Sequence, residues 1–237
     1  MSLKAVLFDF NGVIIKDEQI HQQLIDEILI SENLRPVPGE YQEVCLGKSD
    51  RACLEELLKR RGRFVKEDYL QELVSRKAEG YQRYFETLEK LPIYTGLEDF
   101  IYKIRVAHLP MGVVSGAIHS EVEMVLNQAE LAKYFTVIVA GDDLKVSKPE
   151  PDGYLLAVEK LNQEYPELKL QASECLAIED TFAGIEAAKR AGMQVVGVAN
   201  TYPFHMLQRC ASWTVDYLNE LELERVQEVY AEKGAVV

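Results

Sequence analysis

The most informative residue near the start of the chain is Asp9, which lies within an apolar run, VLFDFNGVI at residues 6–14. Such a run is typical of a buried strand that ends in a turn. A carboxylate delivered to the end of a strand can act as a nucleophile, particularly beside a metal ion. Asn11 follows two residues later, and its amide cannot give or take a proton near pH 7. The segment therefore predicts nucleophilic chemistry at Asp9 and raises a question about Asn11.

Three other polar segments follow strand-like runs, and they are Ser115–Gly116, Lys148–Pro149 and Glu179–Asp180. Parallel strands place their carboxyl ends at one edge of a sheet, so we expect these segments to meet Asp9 there. Each segment also has a structural interpretation: Ser115 suits a turn, Lys148 suits a solvated loop, and Asp180 suits a helix N-cap. Their shared placement favours one active site.

The elements that would position these residues alternate along the chain. Strand-like runs occur at residues 4–8, 111–115, 136–140, 175–179 and 194–198. Several are apolar on both faces, which is typical of parallel strands covered by helices on each side. Patterns of helical period occupy 119–132, 152–162, 181–191 and 216–231. The sequence predicts an α/β fold with a Rossmann-like parallel sheet.

Residues 16–95 interrupt this alternation. They show helix-period patterns at about 17–32, 50–62 and 66–90 and are rich in Glu, Lys, Gln, Arg and Leu. We predict a core formed by residues 1–15 and 96–237, with residues 16–95 inserted as a helical cap. An insertion after the first strand would lie over the carboxyl ends of the strands, where it could exclude water and select substrates.

Composition limits the classes of partner. Lys and Arg total 26 against 39 Asp and Glu, a net charge of −13, which argues against nucleic acid or an anionic membrane as a main partner. The sequence shows no apolar run long enough to span a membrane and no secretory signal pattern. The four cysteines lack a CxxC or CxxH pattern, so we expect free thiols and a cytoplasmic protein. Oligomeric state is not predicted.

The chain resembles haloacid dehalogenase superfamily proteins with a helical cap, within the branch of β-phosphoglucomutases and small-molecule phosphatases. The resemblance rests on DFNGV at 9–13, VVSGA at 113–117, SKPEPDGY at 147–154 and IEDTFAGIEAAKRAGM at 178–193. It implies that Asp9 attacks phosphorus to form an aspartyl-phosphate, which divides one displacement into two easier ones.

The resemblance also assigns the other motif residues. Ser115 and the Gly116 backbone N–H would bind phosphoryl oxygens, and Lys148 would neutralise charge on the nucleophile and the phosphoryl group. The implied cofactor is Mg²⁺, a cation that prefers oxygen ligands. Its ligands would be Asp9, the backbone carbonyl of Asn11, Asp180, and Glu179 as a direct or indirect helper.

Asn11 departs from the family pattern, in which an Asp protonates the leaving oxygen and then activates water. Loss of a general acid–base typically costs about 10²–10⁴-fold in rate. The departure leaves three interpretations: a leaving group that needs little acid help, or another group in this role; a different chemistry; or binding of a phosphorylated ligand without turnover. A deliberate substitution that traps an intermediate is also compatible with the sequence.

Cap residues give weaker signals about the substrate. His21, Lys77, and the pair Gly47 and Arg51 lie where similar proteins place substrate-binding cap residues, although the pair has one extra residue between its members. His119 lies where similar proteins contact phosphate or substrate. We expect these residues, with Gly116, to bind substrate.

The sequence thus predicts a Mg²⁺-dependent phosphatase for a small phosphorylated metabolite, possibly a sugar phosphate. The main alternative is a phospho-ligand-binding or regulatory protein with little turnover. Further alternatives are a β-phosphoglucomutase-like mutase and a phosphonatase-like enzyme, for which Lys48 would be the Schiff-base lysine.

Overall fold

A computed structural model describes residues 2–234 of the chain and contains a six-stranded parallel sheet. In chain order the strands are β1 Ala5–Phe8, β2 Met111–Val114, β3 Val137–Val139, β4 Cys175–Glu179, β5 Gln194–Val198 and β6 Trp213–Val215. The described helices are α1 Glu18–Ser31, α2 Glu40–Val44, α3 Asp50–Arg60, α4 Glu67–Glu86, α5 Leu97–Val106, α6 His119–Gln128, α7 Asp152–Glu164, α8 Phe182–Arg190, α9 Phe204–Leu207 and α10 Leu223–Gly234.

The strands lie in the order β3-β2-β1-β4-β5-β6, and each neighbouring pair is parallel. The chain builds one half of the sheet outward from β1 and then crosses to build the other half from β4. The order therefore reverses between β1 and β4, and ligands of open α/β sheets bind outside the carboxyl ends of strands at such a point.

Both faces of the sheet are covered, as the apolar runs require. Along β1, Val6 and Phe8 join one apolar cluster while Ala5 and Leu7 join another, and all four side chains are fully buried. This alternation is the period of two expected of a strand. Burial on both faces explains why β1 reads as a continuous apolar run.

Helices α1 to α4 fall within residues 16–95, the predicted helical cap. They surround an apolar centre of their own, which includes Ile25, Leu54 and Leu73. Tyr81 and Phe85 of α4 belong instead to the cluster on one face of the sheet. The cap is thus seated on the sheet by aromatic residues of its last helix. Its boundaries at residues 16 and 95 remain a prediction.

The predicted α/β class with a parallel sheet is confirmed, and five of the six strands match predicted runs. The sequence did not predict β6, α2, α5 or α9. The last predicted helix begins later than expected, at Leu223 rather than residue 216, after a short 3₁₀ turn at Leu218–Glu220. No helix within residues 2–234 combines the length and apolarity that crossing a membrane would need.

The prediction of four free thiols was wrong for two of them. Cys45 and Cys53 form a disulfide, with their Cα atoms 4.6 Å apart, whereas Cys175 and Cys210 are free. The eight-residue separation matches no local cysteine motif. The turn from α2 into α3 brings the two residues together, and only the folded chain shows this contact.

Candidate active site

The four polar segments predicted from the sequence do converge at the carboxyl edge of the sheet. Asp9 follows β1, Ser115 follows β2, and Glu179 ends β4 with Asp180 directly after it. Lys148 reaches the same place from the loop between β3 and α7, and its peptide bond to Pro149 is cis.

Lys148 joins two of these segments through its ammonium group. Its Nζ lies 2.8 Å from Asp9 Oδ1 and 2.7 Å from Glu179 Oε1, and it also donates to the carbonyl of Val114 at 3.1 Å. Burial opposes the charge on Lys148, but the two carboxylates outweigh it and hold its pKa above the ordinary value. Lys148 therefore stays protonated and is held against Asp9.

Glu179 is fully buried and is held on two sides. The hydroxyl of Tyr154 donates to Glu179 Oε1 at 2.6 Å, the same oxygen that Lys148 contacts. Gly184 of α8 leaves room for this carboxylate, since a Cβ there would come within 2.1 Å of each carboxylate oxygen. Glu179 thus positions Lys148, and Tyr154 is a supporting residue that the sequence analysis missed.

Asp9, Glu179 and Asp180 place carboxylate oxygens within 4.8 Å of one another. Burial and the nearby Glu179 raise the pKa of Asp9 to about 8, although Lys148 acts in the opposite direction. Burial, followed by Asp9 and Glu179, raises the pKa of Asp180 well above its ordinary value. One ammonium group does not neutralise three carboxylates, so their crowding would be relieved by a divalent cation.

Asp180 offers a specific sign of such a cation. Its Oδ2 accepts a hydrogen bond from Thr201, whereas its buried Oδ1 has no hydrogen-bond partner within the described structure. A buried carboxylate oxygen without a partner is costly unless something else binds it. Gly12, at a φ of +78°, approaches so closely that a Cβ would lie 1.9 Å from Asp180 Oδ2. The donor set therefore fits Mg²⁺.

Asp180 is not the N-cap of α8, as its sequence position had allowed. Thr181 takes that role, because its Oγ1 accepts a hydrogen bond from the Gly184 backbone N–H at 3.1 Å. The carboxylate of Asp180 is therefore free of capping.

Ser115 and Gly116, the predicted phosphoryl-binding residues, directly follow β2 at the carboxyl edge of the sheet. Ser115 is 3 % exposed, and its Oγ accepts from the Ala117 backbone N–H at 3.0 Å. Accepting this bond leaves the hydroxyl hydrogen available for donation. Gly116 packs beneath the cap, since a Cβ at this position would lie 2.6 Å from the carbonyl oxygen of Lys48.

The side chain of Asn11 belongs to a polar network that the sequence did not predict. Its Nδ2 donates to Asp17 Oδ2 at 2.9 Å and lies 2.9 Å from His21 Nε2. Tyr81 also donates to Asp17 Oδ2, at 2.6 Å, and His21 Nε2 lies 3.2 Å from the same oxygen. The other oxygen, Asp17 Oδ1, is buried without a partner among the described residues.

His21 is charged more readily than an ordinary histidine. Burial and Lys77 both disfavour its protonation, but Asp17 and Asp50 outweigh them and raise its pKa. The only signal for this pairing in the sequence was the spacing of Asp17 and His21, four residues apart at the start of a predicted helix.

The structure separates the remaining predicted substrate residues into two groups. Gly47 and His21 line the same small cavity as Asp9 and Asn11. Arg51, Lys77 and His119 do not line this cavity and are instead paired with acidic side chains.

Each residue of the second group has identified partners. Arg51 Nη2 lies 2.5 Å from Glu67 and its Nη1 lies 3.1 Å from Glu55. His119 Nε2 lies 2.9 Å from Asp143. Lys77 is considered below with the residues that bury it.

The cavity above Asp9 has a volume of about 30 Å³, room for about two water molecules. Its wall also includes Glu18, Tyr41 and Thr181, which the sequence analysis did not single out. Residues of the predicted cap and of the core therefore line this cavity together.

The chain is similar to known proteins over most of its length. β-Phosphoglucomutase from Bacillus subtilis is 29% identical over 232 residues, with 95% of each chain covered. A phosphorylated carbohydrates phosphatase from Thermotoga maritima is 28% identical over 201 residues, covering 84% of this chain and 87% of that protein. The crystal structure of β-phosphoglucomutase from Clostridium difficile superposes with a TM-score of 0.84 at 23% identity, covering 98% of this chain and 99% of that one. The family model for haloacid dehalogenase-like hydrolases matches residues 6–198, and the chain belongs to this enzyme family.

Proposed function

We propose that the protein is a Mg²⁺-dependent phosphatase of small phosphorylated metabolites, working through an aspartyl-phosphate on Asp9. The observation that carries the proposal is the buried contact of Lys148 with Asp9, beside an Asp180 oxygen that has no protein partner within residues 2–234. This arrangement combines a nucleophile, a fixed cation and a site for a metal.

In the first step the Asp9 carboxylate attacks phosphorus, the bond to the leaving oxygen breaks, and the leaving group departs as an anion that takes any proton it needs from water. Lys148 stabilises negative charge on the transferring group, and Ser115 with the Gly116 N–H binds its other oxygens. In the second step water attacks the aspartyl-phosphate, which releases inorganic phosphate and regenerates Asp9. Asp9, Asp180, the Asn11 backbone carbonyl and, indirectly, Glu179 would hold Mg²⁺, which supplies further neutralisation of phosphoryl charge when bound.

Asn11 narrows the choice of substrate. Its amide cannot protonate a leaving oxygen, so we expect acyl phosphates or esters with good leaving groups to react faster than simple alkyl phosphates. The names of the relatives favour sugar phosphates as the substrate class. Arg51 is paired with Glu67 and Glu55 and is therefore not available to bind a second phosphate group. This favours a phosphatase over a mutase, which would have to bind two phosphate positions. We propose a cytoplasmic location, which suits such metabolites.

A second candidate is a phospho-ligand-binding protein with little turnover. It is favoured by the Asn11 amide, which is tied to Asp17 and lies beside His21 where the family pattern has an acid.

Release of phosphate from p-nitrophenyl phosphate and from a panel of sugar phosphates separates these candidates. We expect Mg²⁺-dependent release that falls by at least about 10³-fold in Asp9→Ala, because that variant lacks the nucleophile. Equal release by the wild type and Asp9→Ala contradicts the enzyme proposal. Phosphate binding without release supports the second candidate.

A further inference from the structure

The Cys45–Cys53 disulfide closes a segment that lies directly over the nucleophile. It joins the end of α2 to α3 and encloses residues 46–52, here named the bridged loop. Both cysteines line the cavity that contains Asp9, and they are only 4 % and 2 % exposed. The disulfide is therefore a part of the roof of the site.

The bridged loop contacts three core loops that carry site residues. Gly47 packs on Thr181, where a Cβ would lie 2.6 Å from the threonine Oγ1. The Lys48 carbonyl lies against Gly116, and the Ser49 N–H donates to Ser147 Oγ at 2.7 Å. Each of these core residues neighbours a predicted catalytic or metal-binding residue. The shape of the bridged loop is thus coupled to the phosphate and metal sites.

Any enlargement of this cavity would have to move the bridged loop, because Gly47, Lys48 and both cysteines line it. The present volume of about 30 Å³ is smaller than a phosphate ester, so we expect substrate entry to displace the loop. This movement exposes the two sulfur atoms, which the closed arrangement buries. A soluble thiol can reach the disulfide only in that open state.

We propose that Cys45–Cys53 is a reversible thiol-modification site that controls the order of the bridged loop. A dithiol reductant is the co-reactant: one of its thiolates attacks a sulfur, the S–S bond breaks, and the released cysteine thiolate takes a proton. The second reductant thiol then resolves the mixed disulfide. Two electrons and two protons pass to the protein, and the reductant leaves as a disulfide. Oxidised glutathione reverses the exchange.

Reduction removes a cross-link that limits the conformations of the bridged loop. In the bridged form the loop is already shaped to fit Thr181, Gly116 and Ser147. In the reduced form the bridged loop is ordered in only a fraction of the molecules, and part of the free energy of substrate binding is used to order it. The apparent affinity for the substrate is lower in proportion to that fraction. The chemical step, carried by Asp9 and Lys148, is left intact.

The test uses the full chain equilibrated with oxidised glutathione or with dithiothreitol. Differential alkylation with mass spectrometry reports the state of each cysteine, and amide hydrogen exchange reports order in residues 46–52. We expect exchange there to become at least about tenfold faster on reduction. For phosphatase turnover, which depends on the function proposed above, we expect KM to rise about tenfold with kcat changed less than about threefold.

Two double variants serve as controls. C45S/C53S is expected to match the reduced wild type under both conditions. C175A/C210A lacks the two free cysteines and is expected to keep the full redox response. Both results are expected because the proposal assigns the whole redox response to the Cys45–Cys53 pair.

The proposal is overturned if Cys45 and Cys53 remain open to alkylation after oxidation, or if residues 46–52 exchange equally in both states of the wild type. If exchange responds but neither state releases phosphate, the redox site is supported and the phosphatase function is the proposal that fails.

Discussion

At the scale of single residues, the side chain of Asn11 is bound to a buried carboxylate, that of Asp17. The Asn11 amide donates a hydrogen bond to Asp17 Oδ2 at 2.9 Å. Tyr81 also donates to this oxygen, and His21 lies within hydrogen-bond distance of it. The second oxygen of Asp17 is buried and unpartnered within the described chain. Position 11 therefore cannot be changed without regard to position 17.

Restoring the acid at position 11 is expected to need a second substitution. N11D alone places a second carboxylate within hydrogen-bond distance of the buried Asp17, where ionising both groups is unfavourable. N11D/D17N removes this conflict and keeps one carboxylate and one amide. We expect the double variant to raise kcat on an alkyl phosphate by about 10²-fold, and to raise it much less on p-nitrophenyl phosphate, which needs little acid help.

D17N alone is the matched control, and steady-state kinetics on both substrates measure the effect. An N11D variant as active as N11D/D17N would show that Asp17 does not restrain position 11. An equal gain on both substrates would show that the missing acid does not limit the rate.

At the scale of the elements, Lys77 joins three helices. Its Nζ, on α4, lies 2.8 Å from Asp50 of α3 and 3.0 Å from Glu121 of α6. Lys77 is 1 % exposed, so these ion pairs are buried. Burial opposes its charge, but the two carboxylates raise its pKa and keep it protonated. The contact to Glu121 ties the predicted cap to the core.

We expect K77M to lower the free energy of unfolding by about 3–5 kcal/mol, because it leaves two buried carboxylates without their cation. Burial already raises the pKa of Glu121 beside Lys77. A carboxyl group with a raised pKa in the folded state binds a proton more tightly there than in the unfolded chain. The loss is therefore smaller at pH 5 than at pH 8.

Urea denaturation at the two pH values measures this loss. Arg83 lies on the same helix, and its side chain is 70% exposed. R83M is expected to change stability by less than about 0.5 kcal/mol, as surface substitutions usually do. Equal losses in K77M and R83M would contradict the role given to Lys77.

The same elements show what the sequence could predict. Runs such as CLAIE at β4 predict strands because burial on both faces leaves few polar positions, and parallel order then places Asp9, Ser115, Lys148 and Asp180 together. β6 is as short as β3, but only its last residue is buried and a threonine lies at its centre, so it lacks the apolar run that identified β3. The disulfide and the burial of Lys77 depend on how separate helices pack, so no local pattern could indicate them.

At the scale of the whole molecule, the crowded carboxylates of Asp9, Glu179 and Asp180 connect metal binding to global stability. We expect 10 mM Mg²⁺ to raise Tm, since a ligand at 100 times its Kd stabilises by about 2.7 kcal/mol. For a chain of this size each kcal/mol corresponds to about 2–4 °C. D180N is expected to lose most of this increase in Tm, because the substitution removes the negative charge of the Asp180 carboxylate.

Differential scanning fluorimetry with and without Mg²⁺ measures the shift. The exposed Asp68 on α4 provides a charge-matched control, and D68N is expected to retain the full response. A shift of the same size in D180N would place the metal elsewhere. This readout does not depend on catalysis.

The separate apolar centre of the predicted cap, built around Ile25, Leu54 and Leu73, has an evolutionary consequence. Substitutions on the bridged loop can reshape the roof of the site while the residues that pack the sheet stay unchanged. The predicted cap can therefore change in descendants of one ancestor while the packing of the sheet is kept. Two relatives allow this to be examined, the phosphorylated carbohydrates phosphatase and the β-phosphoglucomutase. Each is less than 30% identical to this chain, so their cap and sheet residues can be compared with those described above.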